Sequence, residues 1–287
     1  MIYFTLADFF YNKDINERFI KMSRNHLNWF FDKNIIFTQI KGTFPYNLWN
    51  GGINNIFGDI QIYENMKLMS DTSLPLRFDF SNILLENTDF TDIMSNTILN
   101  IFSTMQFYIE ISNLELMDYI HSRYPNYKFI MSKNSNLLCP STPEVVNSIL
   151  SNVDLELFTI PNEVKNSKDY LQKINLPNKI EVVINQTCPL DCPNYFNCIT
   201  AENNTQLIYS SLGTYSRCNN TYNYSNNPST ISLNKIKEFY LPLNINHFLI
   251  ESCHQKQEDY GIFLINYFIK DEFKYYAFKE LFLGEKK

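Results

Sequence analysis

Short apolar runs that close at once on polar residues, separated by stretches of helical periodicity, recur along this chain and constrain its fold more than any other feature. Ile35 to Ile40 is such a run, and Leu74-Pro-Leu-Arg-Phe-Asp-Phe80 closes on Ser81-Asn82. Phe107-Tyr-Ile-Glu-Ile111 closes on Ser112-Asn113, and Lys128-Phe-Ile-Met131 on Ser132-Lys133. Leu155 to Ile160, Ile180-Glu-Val-Val-Ile184 before Asn185, and Phe248-Leu-Ile250 before Glu251-Ser252 complete the series. Between them, helices are expected over 14–33, 92–102, 114–122, 143–150, 163–174 and 232–240, with a Tyr/Phe-rich helical tail. Strands alternating with helices build βαβ units and a parallel sheet. About seven units without a Gly-x-Gly-x-x-Gly fingerprint favour a (β/α) TIM-like barrel, incomplete or atypical, over a dinucleotide-binding sheet. No linker and no repeat of 20–50 residues interrupts the pattern, so one α/β-barrel domain over 1–287 is expected.

The apolar fraction of 45% and charged fraction of 19% exclude a disordered chain. Asn makes up about one residue in eight, against few Arg, which reads as coding bias and lowers the weight of any single Asn. With a net charge of −6 and no basic stripe, electrostatics argue against a stable stand-alone nucleic-acid binder. No run approaches the roughly 20 apolar residues that span a bilayer. The N-terminus lacks a basic n-region and meets Asp8 early, so a cytoplasmic location is expected. In a reducing compartment, six Cys point to metal binding or reactivity rather than to disulfides.

In a parallel barrel the active site lies at the C-terminal strand ends. That edge is expected to carry Asn82, Glu110, Ser112, Asn113, Ser132, Lys133, Asn185 and Glu251. Ser and Asn at these places also serve as ordinary turn residues and helix caps.

The thiols cluster. Cys188, Cys192 and Cys198 lie within one short segment directly after the 180–184 strand, and Cys218 follows, giving C-x3-C-x5-C-x19-C. Pro189 and Pro193 follow two of them and stiffen the loop. Four such thiols can hold zinc tetrahedrally or a [4Fe–4S] cluster. Cys253, just past another strand end, is the alternative fourth ligand, and Cys139 is expected to be an isolated buried cysteine. His247 and His254 flank Glu251-Ser252-Cys253, which allows a nucleophilic cysteine. Neighbours on a strand point to opposite faces, however, which argues against a Cys253–His254 pair.

The cysteine segment followed by Leu241-Pro-Leu-Asn-Ile245-Asn-His-Phe248-Leu-Ile250-Glu251 resembles the peptidase U32 family, where the corresponding stretch reads Phe-Lys-Ile-Glu-Gly-Arg. Phe248, Ile250 and Glu251 match that pattern. Leu249, Ser252 and Cys253 stand where Lys, Gly and Arg are expected, and Gln255 replaces a further Lys. The resemblance implies an α/β barrel with a cysteine-rich loop at the C-terminal strand face. It also implies a [4Fe–4S] cluster on Cys188, Cys192, Cys198 and Cys218, serving oxygen-independent hydroxylation or another redox modification of an unidentified substrate. Glu251 would contact that substrate or position an acid–base step. The alternative is a non-catalytic barrel in which the same thiols hold structural zinc and the chain acts as a binding or scaffold module. The family's older peptidase label finds no nucleophile with an oriented base in this sequence. The acidic chain favours a small-molecule substrate or a protein partner, with room for a hetero-oligomer with a related barrel protein.

Overall fold

The structure, a computed structural model, describes residues 1–8, 11–43, 47–51, 74–104, 107–186, 188, 192–207, 227–251 and 256–283. Eight parallel strands close into a barrel in sequence order: β1 (Ile2–Ala7), β2 (Ile35–Gly42), β3 (Leu76–Phe80), β4 (Phe107–Ile111), β5 (Lys128–Met131), β6 (Leu155–Thr159), β7 (Ile180–Val183) and β8 (His247–Leu249). Closure is made by β1, where Tyr3, Phe4 and Thr5 pair with His247, Phe248 and Leu249 of β8. The sequence reading had no strand at 2–7. The run Ile-Tyr-Phe-Thr-Leu-Ala has strand character, but it follows no helix and so falls outside the βα rhythm. It supplies the eighth strand and makes the barrel complete.

The helices are α1 (Lys13–Asn25), α2 (Ile93–Phe102), α3 (Leu114–Arg123), α4 (Pro143–Asn152), α5 (Lys168–Leu171), α6 (Tyr195–Leu207), α7 (Leu233–Lys235), α8 (Gln257–Phe268) and α9 (Lys274–Phe278). Several start on side-chain caps that satisfy the free amides of the first turn. Asp92 accepts from the Ser95 amide, Asn113 from the Glu115 amide and Thr142 from the Val145 amide. Of the helix expected over 163–174, only the one turn of α5 forms, because Pro161, Asn162 and Asn166 favour turns. Among the described residues, no helix is long and apolar enough to cross a membrane.

The two faces of the sheet differ. The outer face is apolar and packs on the helices through residues such as Phe4, Phe78, Ile109, Val182 and Phe248, all fully buried. Phe4 meets Phe268 of α8 edge-on at 4.9 Å, and Phe19 of α1 meets Phe37 of β2 at 5.5 Å. Inside the barrel, Tyr108, Ile130 and Leu157 form a small separate apolar cluster. Much of the rest of the interior is charged or polar, whereas barrel interiors are normally layers of Val, Ile and Leu.

Candidate functional site

The charges sit in the middle of apolar strands. Arg77 and Asp79 alternate with Leu76, Phe78 and Phe80 on β3, Glu110 lies between Ile109 and Ile111 on β4, and Glu181 lies between Ile180 and Val182 on β7. Period-two alternation turns all four side chains to the face opposite their apolar neighbours, into the barrel. Arg77 reaches across the barrel, its Nη1 donating to both carboxylate oxygens of Glu181 at 2.8 Å. Its Nη2 lies 2.8 Å from a Glu110 oxygen and donates to Thr159 Oγ1 at 3.1 Å. Thr159 and Thr5 donate in turn to Glu181, at 2.8 and 3.2 Å. Above Arg77, the Lys41 ammonium of β2 bridges Glu110 (2.7 Å) and Asp79 (3.0 Å).

Burial alone would push the Glu110 carboxyl up, but Arg77 and Lys41 outweigh it and hold the pKa at about 2. Burial likewise works against the charged forms of Lys41 and Arg77, and the surrounding carboxylates reverse it, so both are raised. Glu110, Lys41 and Arg77 are therefore ionised at neutral pH, and the network forms a floor beneath the C-terminal mouth. Glu110 was expected at the rim; it belongs to this floor. Ser132, also expected at the rim, hydrogen-bonds Glu110 and caps the next turn at the Asn134 amide.

A second charged group lies at the ends of β5, β7 and β8. Lys133 forms an ion pair with Glu251, both side chains nearly buried. The Lys133 ammonium is held above its ordinary pKa because Glu251 overcomes the effect of burial. Asn185 fixes the Glu251 backbone from both sides: its Nδ2 donates to the Glu251 carbonyl at 2.9 Å, and its Oδ1 accepts from the Glu251 amide at 2.6 Å. Lys133, Asn185 and Glu251 thus come together as the strand-end reading expects. Asn82 and Asn113 do not join them. Asn113 caps α3, and Asn82 ties the β3 end to the Leu48 carbonyl.

Lys165, which the sequence reading missed, is almost wholly buried nearby, its Nζ donating to the Val183 carbonyl at 3.0 Å. Burial lowers its pKa to about 8, with Glu251 opposing that shift. Tyr195, at the start of α6, donates its hydroxyl to Asn134 Oδ1 at 2.7 Å, and burial raises its pKa.

The described thiols Cys188, Cys192 and Cys198 are half-buried and unoxidised. Cys188 lies within electrostatic reach of Lys133 and Tyr195. Thiols are the donor type that zinc and iron–sulfur clusters take. Among the described residues, no three His, Cys, Asp or Glu side chains are arranged to hold a metal ion. Cys218, Cys253 and His254 lie outside the described residues. Cys139 is exposed, not buried: it follows the 3-10 turn Lys133–Leu137, beside an exposed Leu138 and before Pro140. His247 sits at the start of β8, the strand end remote from Glu251, stacked on Tyr3 at 4.9 Å.

No family model matches the sequence, and no curated protein matches it. Among solved structures, the barrel superposes on that of the U32 peptidase Mk0906 with a TM-score of 0.55, over 88% of this chain and 93% of the other, at 10% identity. The fold is U32-like. At that identity the likeness is one of architecture alone.

Proposed function

We propose that this chain is an iron–sulfur protein of the U32-like barrel type. In this reading, Cys188, Cys192, Cys198 and Cys218 hold a [4Fe–4S] cluster beside the C-terminal mouth, and the site carries out a redox or hydroxylation-type modification. One observation supports placing thiols and strand-end charges in a single site: Cys188 lies within electrostatic reach of Lys133, the partner of Glu251. The cluster would supply electron transfer; the chain's own residues bind and orient. The Lys133–Glu251 pair offers one donor and one acceptor to a polar substrate group, with Asn185 fixing the register of Glu251. The ionised floor beneath excludes bulk water and holds β2, β3, β4 and β7 in place. The neighbour's name suggests peptide hydrolysis instead, but among the described residues no serine hydroxyl is hydrogen-bonded to a histidine.

Anaerobic purification followed by iron, sulfide and zinc analysis tests the reading. About four iron and four sulfide per chain, with broad visible charge-transfer absorbance, is the expected result. Stoichiometric zinc without iron would replace the cluster with a structural metal and favour the scaffold module. A metal-free, fully folded protein would remove both.

A further inference from the structure

Before the chain leaving β7 returns to the outer face of the barrel at Ile236 and Tyr240, it forms the additional helix α6. β7 and β3 are four strands apart in either direction around the closed sheet, hence opposite each other. Yet α6, which follows β7, is anchored near β5 at one end and at the ends of β2 and β3 at the other. At its start, Tyr195 bonds Asn134 after β5. Toward its end, Asn203 is fully buried; its Oδ1 accepts from the Ile83 amide at 2.7 Å and its Nδ2 donates to the Gly51 carbonyl at 3.3 Å. The Asn203 carbonyl accepts from Asn82 Nδ2 at 3.4 Å. Thirteen residues of α-helix span about 20 Å, comparable with the width of a barrel mouth.

We infer that α6 is a strap lying across the C-terminal mouth, with Asn203 as the latch that positions it. The helix is latched by polar groups, not by an apolar face: Asn203 on the strap, Asn82, Ile83 and Gly51 on the barrel. Hydrogen bonds of this kind are individually modest in net strength, so the latch is suited to open and close. The strap carries Cys198 and follows Cys192, so its position fixes where those thiols lie relative to Lys41, Lys133 and Glu251. Access to the two lysines of the mouth then depends on the latch, whether or not the thiols carry a metal.

The test is competitive amine acylation of the intact protein, read lysine by lysine by mass spectrometry, in the native chain and in Asn203→Ala. Lys41 and Lys133 report on the mouth. Lys128, half-exposed at the start of β5 on the opposite end of the barrel, reports on general loosening. Losing the two side-chain hydrogen bonds of Asn203, each of ordinary net strength, predicts an increase of about tenfold in acylation of Lys41 and Lys133. Lys128 should stay constant, as should the cooperativity of thermal unfolding. Unchanged mouth lysines in the folded variant would overturn the inference, as would acceleration of all three lysines together. If Asn203→Ala fails to fold, Tyr195→Phe, which deletes one hydroxyl at the other anchor, gives the same three readings.

Discussion

Arg77 and Glu181 stand on opposite strands of the barrel and meet at its axis, the guanidinium sharing both carboxylate oxygens. The pair replaces the branched aliphatic layer that usually fills such a barrel. Removing one partner of a buried ion pair leaves the other uncompensated, which costs about 3–5 kcal/mol, whereas removing both for apolar groups is far milder. Arg77→Met should therefore lower the urea midpoint at neutral pH by the equivalent of several kcal/mol. The double variant Arg77→Met with Glu181→Leu should recover part of that loss. Additive losses would show that the pair is not coupled.

Glu110 makes the fold acid-sensitive. Its pKa falls from the ordinary 4.5 to about 2 on folding, because Arg77 and Lys41 outweigh burial. A carboxyl depressed in the folded state contributes stability that is fully present above pH 4.5 and is lost as pH falls toward 2. The contribution is on the order of 3 kcal/mol. Chemical denaturation from pH 6 down to pH 2 should show this decline in the native chain and a shallower one in Glu110→Gln, from a lower starting value. An equally steep decline in the variant would assign the acid sensitivity elsewhere.

Lys165 acts in the opposite range. Burial lowers its pKa from 10.5 to about 8, so between those values the unfolded chain binds the proton that the folded chain has released. Stability therefore rises with pH from 8 to 10.5 on account of this group. Lys165→Met should abolish that rise and be relatively more stable below pH 8, where the native chain carries a buried ammonium. A rise of unchanged slope in the variant would mean that Lys165 stays protonated throughout.

The parts of the fold that were legible in the sequence are those set by local pattern. The 107–111 and 128–131 strands match their expected bounds, and Asp92 at the start of α2 lies where the apolar periodicity begins. Lys133, Asn185 and Glu251 were placed because each follows an apolar run. The interior network was hidden for a related reason. Arg77, Asp79, Glu110 and Glu181 each interrupt an apolar strand, which reads as ordinary alternation against solvent unless the inner face is known to be closed. Only the pairing of β1 with β8 makes that face an interior. The docking of Asn203 left no signal, because Asn is abundant here and a contact between residues 203 and 83 depends on the whole topology.

Gly51 is needed for the close approach of the β2–β3 connection to the β3 end. A Cβ on Gly51 would lie 2.2 Å from the Ser81 carbonyl carbon and 2.4 Å from its oxygen, both backbone atoms that cannot rotate away. Gly51→Ala must move this segment and with it the acceptor of Asn203 Nδ2. Overpacking of this kind costs about 1–3 kcal/mol. The variant should lose stability in that range and show faster hydrogen exchange at the Ile83 amide, the donor to Asn203. Protection at Ile83 equal to that of the native chain would show that the loop yields without disturbing the strap.

The cysteines separate ligand from bystander without knowledge of the substrate. Cys188 and Cys192 lie between β7 and α6 and Cys198 lies in the first turn of α6, so under the cluster or zinc reading each serine variant should lose metal. Each should also lose soluble yield, since metal-binding free energy is also folding free energy. Cys139 is exposed, beside the exposed Leu138. Cys139→Ser should therefore leave both metal content and melting temperature unchanged, within the small range usual for surface substitutions. Of the two thiols outside the described residues, Cys218→Ser is expected to lose metal and Cys253→Ser to keep it. Metal content is measured per folded chain after anaerobic isolation. Full retention in both Cys188→Ser and Cys192→Ser would end the cage reading for iron and zinc alike, and leave the strap with its thiols as a purely protein-built roof.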